Sequence, residues 1–179
     1  MEIRRANMII GVAGGTAGRN AKTYKLSLPS SWVKELGLDQ ESRQVELHFD
    51  GEQIVVRRAL TLAEFAQRKL ARTHEVWMLR YYDGDRLCTS ICADFTGRTL
   101  QAENHTPLLV KTAFGKHETP SWEDFRAFLE ERCIPRHRAG LREYLDSIGL
   151  DEYDPMEIIK KTSGQMAEDE QWIELEALK

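Results

Sequence analysis

The stretch RNAKTYKLSLPSSWVKELGLDQESRQVELHFDGEQIVVRR, residues 19–58, constrains the fold more than any other part of the chain. Tyr24, Leu26 and Leu28 alternate with Thr23, Lys25 and Ser27, the period-two pattern of a half-buried strand. Pro29 ends that ladder because it lacks a donor. Ser30 or Ser31 is placed to cap a short helix carrying Trp32, Val33 and Leu36, and Gly37 stands where such a helix stops. Val45, Leu47 and Phe49 then alternate with Glu46 and His48. Asp50-Gly51 provides a turn, and Ile54 and Val56 return on a second strand.

A unit of this size cannot bury its own apolar face, since chains of roughly 40–60 residues are marginal alone and often oligomerise. The strand, proline, short helix and Asp-Gly hairpin resemble the swapped-hairpin DNA-binding domain of the AbrB/MazE/SpoVT family, over about the first third of the chain. The resemblance implies a homodimer whose two chains interlace hairpins through residues 8–58. Tyr24, Leu26, Leu28, Trp32, Val33, Leu36, Val45, Leu47, Phe49, Ile54 and Val56 would form the shared core. It also implies that a basic loop meets DNA. Arg19, Asn20, Lys22 and Lys25 fall at that place, with Arg4 and Arg5 on an N-terminal arm. Lys and Arg neutralise phosphate, while Arg and Asn also read base edges. The segment GVAGGTAGRN is richer in glycine than the family's usual first loop, and DQESRQ replaces its short Gly-Asp turn.

Charge is unevenly distributed along the 179 residues, whose net charge is −4. In residues 1–25, Arg4, Arg5, Arg19, Lys22 and Lys25 stand against Glu2 alone, a surplus of +4. Residues 140–179 carry four basic and eleven acidic side chains, a balance of −7. A basic head and an acidic tail suit contact with DNA at one end and with a protein at the other. With 41% apolar and 30% charged residues, the composition is that of a soluble globular protein. No apolar run is long enough to span a bilayer, and Met8-Ile9-Ile10 is too short for a signal-peptide core, so a cytoplasmic location is expected.

Beyond Arg58, residues 59–74 read as a connecting helix, with Leu62, Phe65, Ala66 and Leu70 at helical spacing after Thr61 as a cap. Residues 75–104 read as a β-meander turning at DGD and TGR, with Trp77, Leu79 and Tyr81 on one face and Val76, Met78 and Tyr82 on the other. Three short helices follow. Ser121 and Asp124 form a capping box ahead of Trp122, Phe125, Phe128 and Leu129; Leu141 to Ile148 stop at Gly149; Asp154-Pro155 starts the third. QWIELEAL reads as a last strand. The fold class is therefore α+β: a swapped-hairpin β domain over residues 1–58, then a meander-plus-helices domain over 75–179 for partner binding or sensing.

Chemical motifs are sparse. The glycines at 11, 14, 15 and 18 satisfy neither G-x-G-x-x-G nor a P-loop. Cys88 and Cys92 are expected to share a strand face, and with Cys133 they read as buried free thiols; His105, His117 and His137 could complete a zinc set on paper, but nothing in the sequence fixes that geometry. No nucleophile motif is present, so no catalytic residue, cofactor or metal is expected. Arg132, Arg136, His137 and Arg138 read as an exposed basic helix junction. Residues 132–176 are similar to segments of uncharacterised proteins encoded in toxin–antitoxin settings. The leading expectation is thus a dimeric DNA-binding transcriptional regulator, an antitoxin repressing its own operon, whose C-terminal region binds a toxin or kinase-like partner. Its rival is a protein-interaction or immunity module in which the swapped hairpin only dimerises. A third reading makes the C-terminal region an enzyme regulated through DNA binding.

Overall fold

A computed structural model of the chain describes residues 2–12 and 21–179. It is a mixed α+β structure that divides into two compact units, one ending at Ala59 and the other beginning at Leu60.

The first unit is built from two hairpins and a short helix. Strands β1 (Ile9–Val12) and β2 (Lys22–Lys25) pair antiparallel, with Ile10 opposite Tyr24 and Val12 opposite Lys22. Helix α1 (Ser30–Glu35) follows. The expected serine cap is absent: Pro29 occupies the cap position, and no side chain bonds to the helix start. Proline, with φ already fixed, sets the entry there instead. At its other end Leu38 N–H reaches Val33 O at 3.1 Å and Gly37 N–H reaches Lys34 O at 2.9 Å. Those two bonds close a Schellman motif around Gly37 at φ 70°.

Strands β3 (Val45–Phe49) and β4 (Ile54–Arg58) form the second hairpin. Its loop runs through four residues, 50–53. Asp50 Oδ1 accepts from the backbone N–H groups of Glu52 and Gln53, both at 3.0 Å, which fixes the turn. The register places Leu47 opposite Val56 and Phe49 opposite Ile54, so the expected apolar alternation lies on one face.

The second unit is a four-stranded antiparallel sheet in the order β7-β6-β5-β8 with helices on both faces. Helix α2 (Leu62–Leu70) opens with the Thr61/Glu64 capping box. It is more than a connector, since Leu62, Phe65, Ala66 and Leu70 pack with Val76, Cys92 and Leu178. Strands β5 (Val76–Asp83), β6 (Arg86–Asp94) and β7 (Thr99–Asn104) make the meander. Helices α3 (Trp122–Glu131), α4 (Leu141–Ser147) and α5 (Pro155–Thr162) cover the opposite face. Strand β8 (Gln171–Leu178) joins the sheet beside β5. The main core gathers Leu79, Ile91, Phe125, Ile158, Ile159 and Ile173, each at most 1% exposed.

A register shift between Tyr81 and Tyr82 inserts one extra residue, Cys88, into β6. Cys88 therefore joins the α3-side core while Cys92 joins the α2 side. The expected common face for these two cysteines is lost to the bulge, which resets the two-residue alternation.

Two buried charges hold the second unit. Asp94 at the end of β6 has no solvent exposure. Its carboxylate receives Lys69 Nζ at 2.8 Å, His74 Nδ1 at 2.9 Å and Gly97 N–H at 2.8 Å. Burial alone would push this carboxyl up, but hydrogen bonds from Lys69, Gly97 and His74 outweigh it and hold it at about 2. Gly97 is required by close approach, because a Cβ there would collide with the Asp94 carboxylate.

Arg132, expected in an exposed basic junction, is 7% exposed. Its fork binds Asp169 through Nη1 at 2.7 Å and Nη2 at 2.9 Å, and its Nε donates to Gly164 O at 3.0 Å. The guanidinium ties the end of α3 to the start of β8, and only Arg136, His137 and Arg138 of that cluster remain exposed.

Asp94→Ala leaves Lys69 without its carboxylate in a largely buried site and is expected to cost about 3–5 kcal/mol in a denaturant titration. Because the folded value of Asp94 lies below the ordinary 3.8, its contribution is complete above about pH 4 and disappears as pH falls through about 2. The Ala variant should therefore lose less stability than wild type on acidification over that window. Parallel acid dependence of the two would remove Asp94 from this role.

Candidate functional site

In the first unit, the β3–β4 hairpin separates Val45, Leu47, Phe49, Ile54 and Val56 from Glu46 and His48, whereas in the β1–β2 hairpin Lys22 shares a face with Ile10, Val12 and Tyr24. None of its described residues is buried. Val12 is 87% exposed, Leu47 68%, Phe49 71% and Ile54 64%. Tyr24, Leu26, Leu28, Leu36 and Val45 are also exposed, while Trp32, Val33 and Val56 are half-buried. The residues expected to form a core are thus exposed or half-buried, with Val45, Leu47, Phe49, Ile54 and Val56 on one face of the β3–β4 hairpin. Monomers rarely leave apolar patches of this extent facing water.

The basic residues do not converge as a single set. Arg19 and Asn20 lie outside the described residues. Lys22 opens β2 opposite Val12 and borders the 13–20 segment, while Lys25 ends the same strand opposite Ile9. Three positions apart on a strand, Lys22 and Lys25 belong to opposite faces. Arg4 is bound by Glu2 at 2.7 Å and lies 5.7 Å from the Trp32 ring centre, and Trp32 Nε1 donates to the same carboxylate at 2.9 Å. The Trp32 and Arg4 hydrogen bonds hold the Glu2 carboxyl below its usual value. Arg4 is therefore partly neutralised, whereas Arg5 is exposed and, among the described residues, has no ion pair. Period-two reasoning could have separated Lys22 from Lys25; nothing in the sequence signals the Glu2–Arg4–Trp32 arrangement.

The second unit holds chemistry that no motif announced. Ser90 Oγ lies 2.8 Å from His105 Nε2, with His105 N–H donating to Cys88 O at 2.9 Å. A base within reach of a hydroxyl is half of a nucleophilic pair. Among the described residues no carboxylate bonds the other ring nitrogen to orient it. The neighbouring Tyr82 and Trp172 rings stack at 4.3 Å, and Arg80 bridges Glu174 and Glu176 at 3.3 and 2.8 Å.

Desolvation raises all three thiols, Cys92 to about 11 and Cys133 to about 12, so they are protonated at neutral pH. Among the described residues no three metal-ligating side chains gather. No described helix is long and apolar enough to cross a membrane.

On the α3 side two clefts open. One of about 340 Å³ lies between the 109–117 segment and α3. The other, about 470 Å³, lies among the β6–β7 turn, α3 and the start of α5.

Compared with known proteins, the chain matches no family model, no curated protein and no solved structure.

Native protein at pH 8 is expected to react slowly with Ellman's reagent, and to release three thiol equivalents once denatured. Rapid reaction of any of the three in the folded state would contradict their burial.

Proposed function

We propose that this protein is a dimeric DNA-binding transcriptional regulator of the swapped-hairpin type, acting as an antitoxin that represses its own operon. The observation that carries the reading is the apolar face of the first unit. Leu47, Phe49 and Ile54, 64–71% exposed, are aligned with half-buried Val56 on one face of a hairpin. A second copy, interlacing its own hairpins, supplies a cover of the same chemistry and symmetric shape. Burying such side chains contributes about 1.5–3 kcal/mol each, enough to make dimer and fold inseparable.

Such a dimer brings two copies of the 13–22 segment to one DNA face, with Arg19, Asn20 and Lys22 meeting phosphate and base edges and Lys25 and Arg5 at the margin. Two-fold symmetry favours a near-palindromic operator. The second unit, with its acidic tail, is the end that binds a toxin or kinase-like partner. The Glu2–Arg4 pair favours the rival reading to one extent: it lowers the positive charge available on the arm, as expected if the hairpins serve only to dimerise.

Fluorescence anisotropy with the chain's own upstream DNA, against a scrambled duplex at two salt concentrations, tests the DNA part. Specific binding should weaken steeply with salt, and Arg19→Ala or Lys22→Ala should weaken it without unfolding the protein. Full affinity in both variants, or no binding at low salt, overturns the assignment. Sedimentation equilibrium tests the dimer: Leu47→Asp with Phe49→Asp should abolish the dimer and unfold the first unit. An unaltered monomer in wild type would refute it.

A further inference from the structure

The 470 Å³ cleft of the second unit has a volume in the range that holds small ligands, on the order of 300–1,000 Å³. Its floor is aromatic and aliphatic. Phe95 meets Trp122 edge-on at 5.2 Å, Trp122 meets Phe125 at 5.0 Å, and Leu129 and Met156 complete the surface. Phe125 lies beneath with no solvent exposure and holds the half-buried Phe95 and Trp122 rings in place as a rigid apolar wall.

The charged groups on the rim are not equivalent. Arg136 is paired with Glu130 at 3.2 Å and lies 4.3 Å over the Tyr153 ring. Asp154 caps α5 by accepting from Glu157 N–H at 3.1 Å, so its charge faces the positive end of that helix. Glu123 sits in the first turn of α3, also a favourable place for a carboxylate. Arg98 and Arg126 are exposed at the cleft, and neither has an ion pair among the described residues. Three arginines face three carboxylates on the rim, so its charges balance; Arg98 and Arg126 are its guanidiniums left without an ion pair among the described residues, and Glu123 is its unpaired carboxylate.

Arg98 carries a second mark. It adopts φ 50°, a left-handed conformation uncommon for a residue with a side chain. Glycine would adopt this conformation without strain, yet an arginine occupies the position. Local strain of this kind concentrates where a side chain is held for binding.

We infer that this cleft binds a small aromatic carboxylate, its ring against Phe95 and Trp122 and its anionic group between Arg98 and Arg126. A guanidinium fork matches a carboxylate with two parallel hydrogen bonds, which neither a lysine nor an uncharged rim provides. The inference is independent of DNA binding, because every residue it uses belongs to the second unit.

Isothermal titration of the full chain with 2-naphthoate tests it, with 2-naphthylmethanol as the uncharged counterpart. The acid should bind saturably at one site per chain, at least tenfold more tightly than the alcohol. Arg98→Ala with Arg126→Ala should weaken the acid at least tenfold while leaving thermal unfolding unchanged, and Arg57→Ala in the first unit should leave the affinity unchanged. Trp122 emission should shift on saturation and the shift should vanish in Trp122→Phe. Equal affinity for acid and alcohol, unchanged affinity in the double arginine variant, or no saturable heat would overturn the assignment.

Discussion

The second unit depends on one buried carboxylate. Asp94 joins helix α2 through Lys69, the segment after that helix through His74, and the β6–β7 turn through Gly97. Lys69 also donates to Thr99 at 2.7 Å, so one cation serves two strands. A carboxylate without water is costly unless every lone pair is used. Here several donors converge on it, and their combined effect exceeds the burial penalty. The consequence is geometric: α2 can cross the sheet only where Lys69 meets Asp94. Its apolar stripe then falls on Val76, Cys92 and Leu178, and the rest of that sheet face, with Arg80, Tyr82 and Ser90, is left to polar chemistry.

Arg132 does the corresponding work on the other side. Its bonds to Asp169 and Gly164 connect the end of α3 to the chain entering β8, a strand distant in sequence from its neighbour β5. Gly164, at φ 62° with Arg132 and Ile173 side chains against it, leaves room for that approach. The first unit has no equivalent. It contains turns fixed by Asp39 and Asp50 and a helix stopped at Gly37, but no buried residue among those described. Local hydrogen bonding shapes it, and its apolar side chains stay exposed or half-buried.

Much of the element order was legible because it rests on short-range rules. The cap at Thr61, the capping box at Ser121, proline at the start of α5, and glycine after α1 and α4 are set within four or five residues, and each appears where the sequence puts it. The two faces of β5 followed from alternation alone. Misreadings arose where a distant contact intervened. The bulge at Cys88 sends it to the opposite face from Cys92, and Asp169, thirty-seven positions away, draws Arg132 inside. Of the proposed DNA-facing residues, Lys25 lies on the expected strand, while Lys22, expected in the loop before it, opens that strand; Trp32, thirty positions from Glu2, joins the Glu2–Arg4 pair.

By itself the sequence determined most strands and helices beyond β1, that the first unit has too little core for its apolar face, and that basic charge lies at the head and acidic charge at the tail. These follow from periodicity, turn chemistry and composition, which act locally. Only the tertiary structure decided that β8 enters beside β5, that Asp94 and Arg132 are the buried charges, and that Phe95, Arg98, Trp122 and Arg126 meet at one cleft. Each of those outcomes joins residues far apart in the chain, and their energies arise from desolvation and packing, which no local window contains.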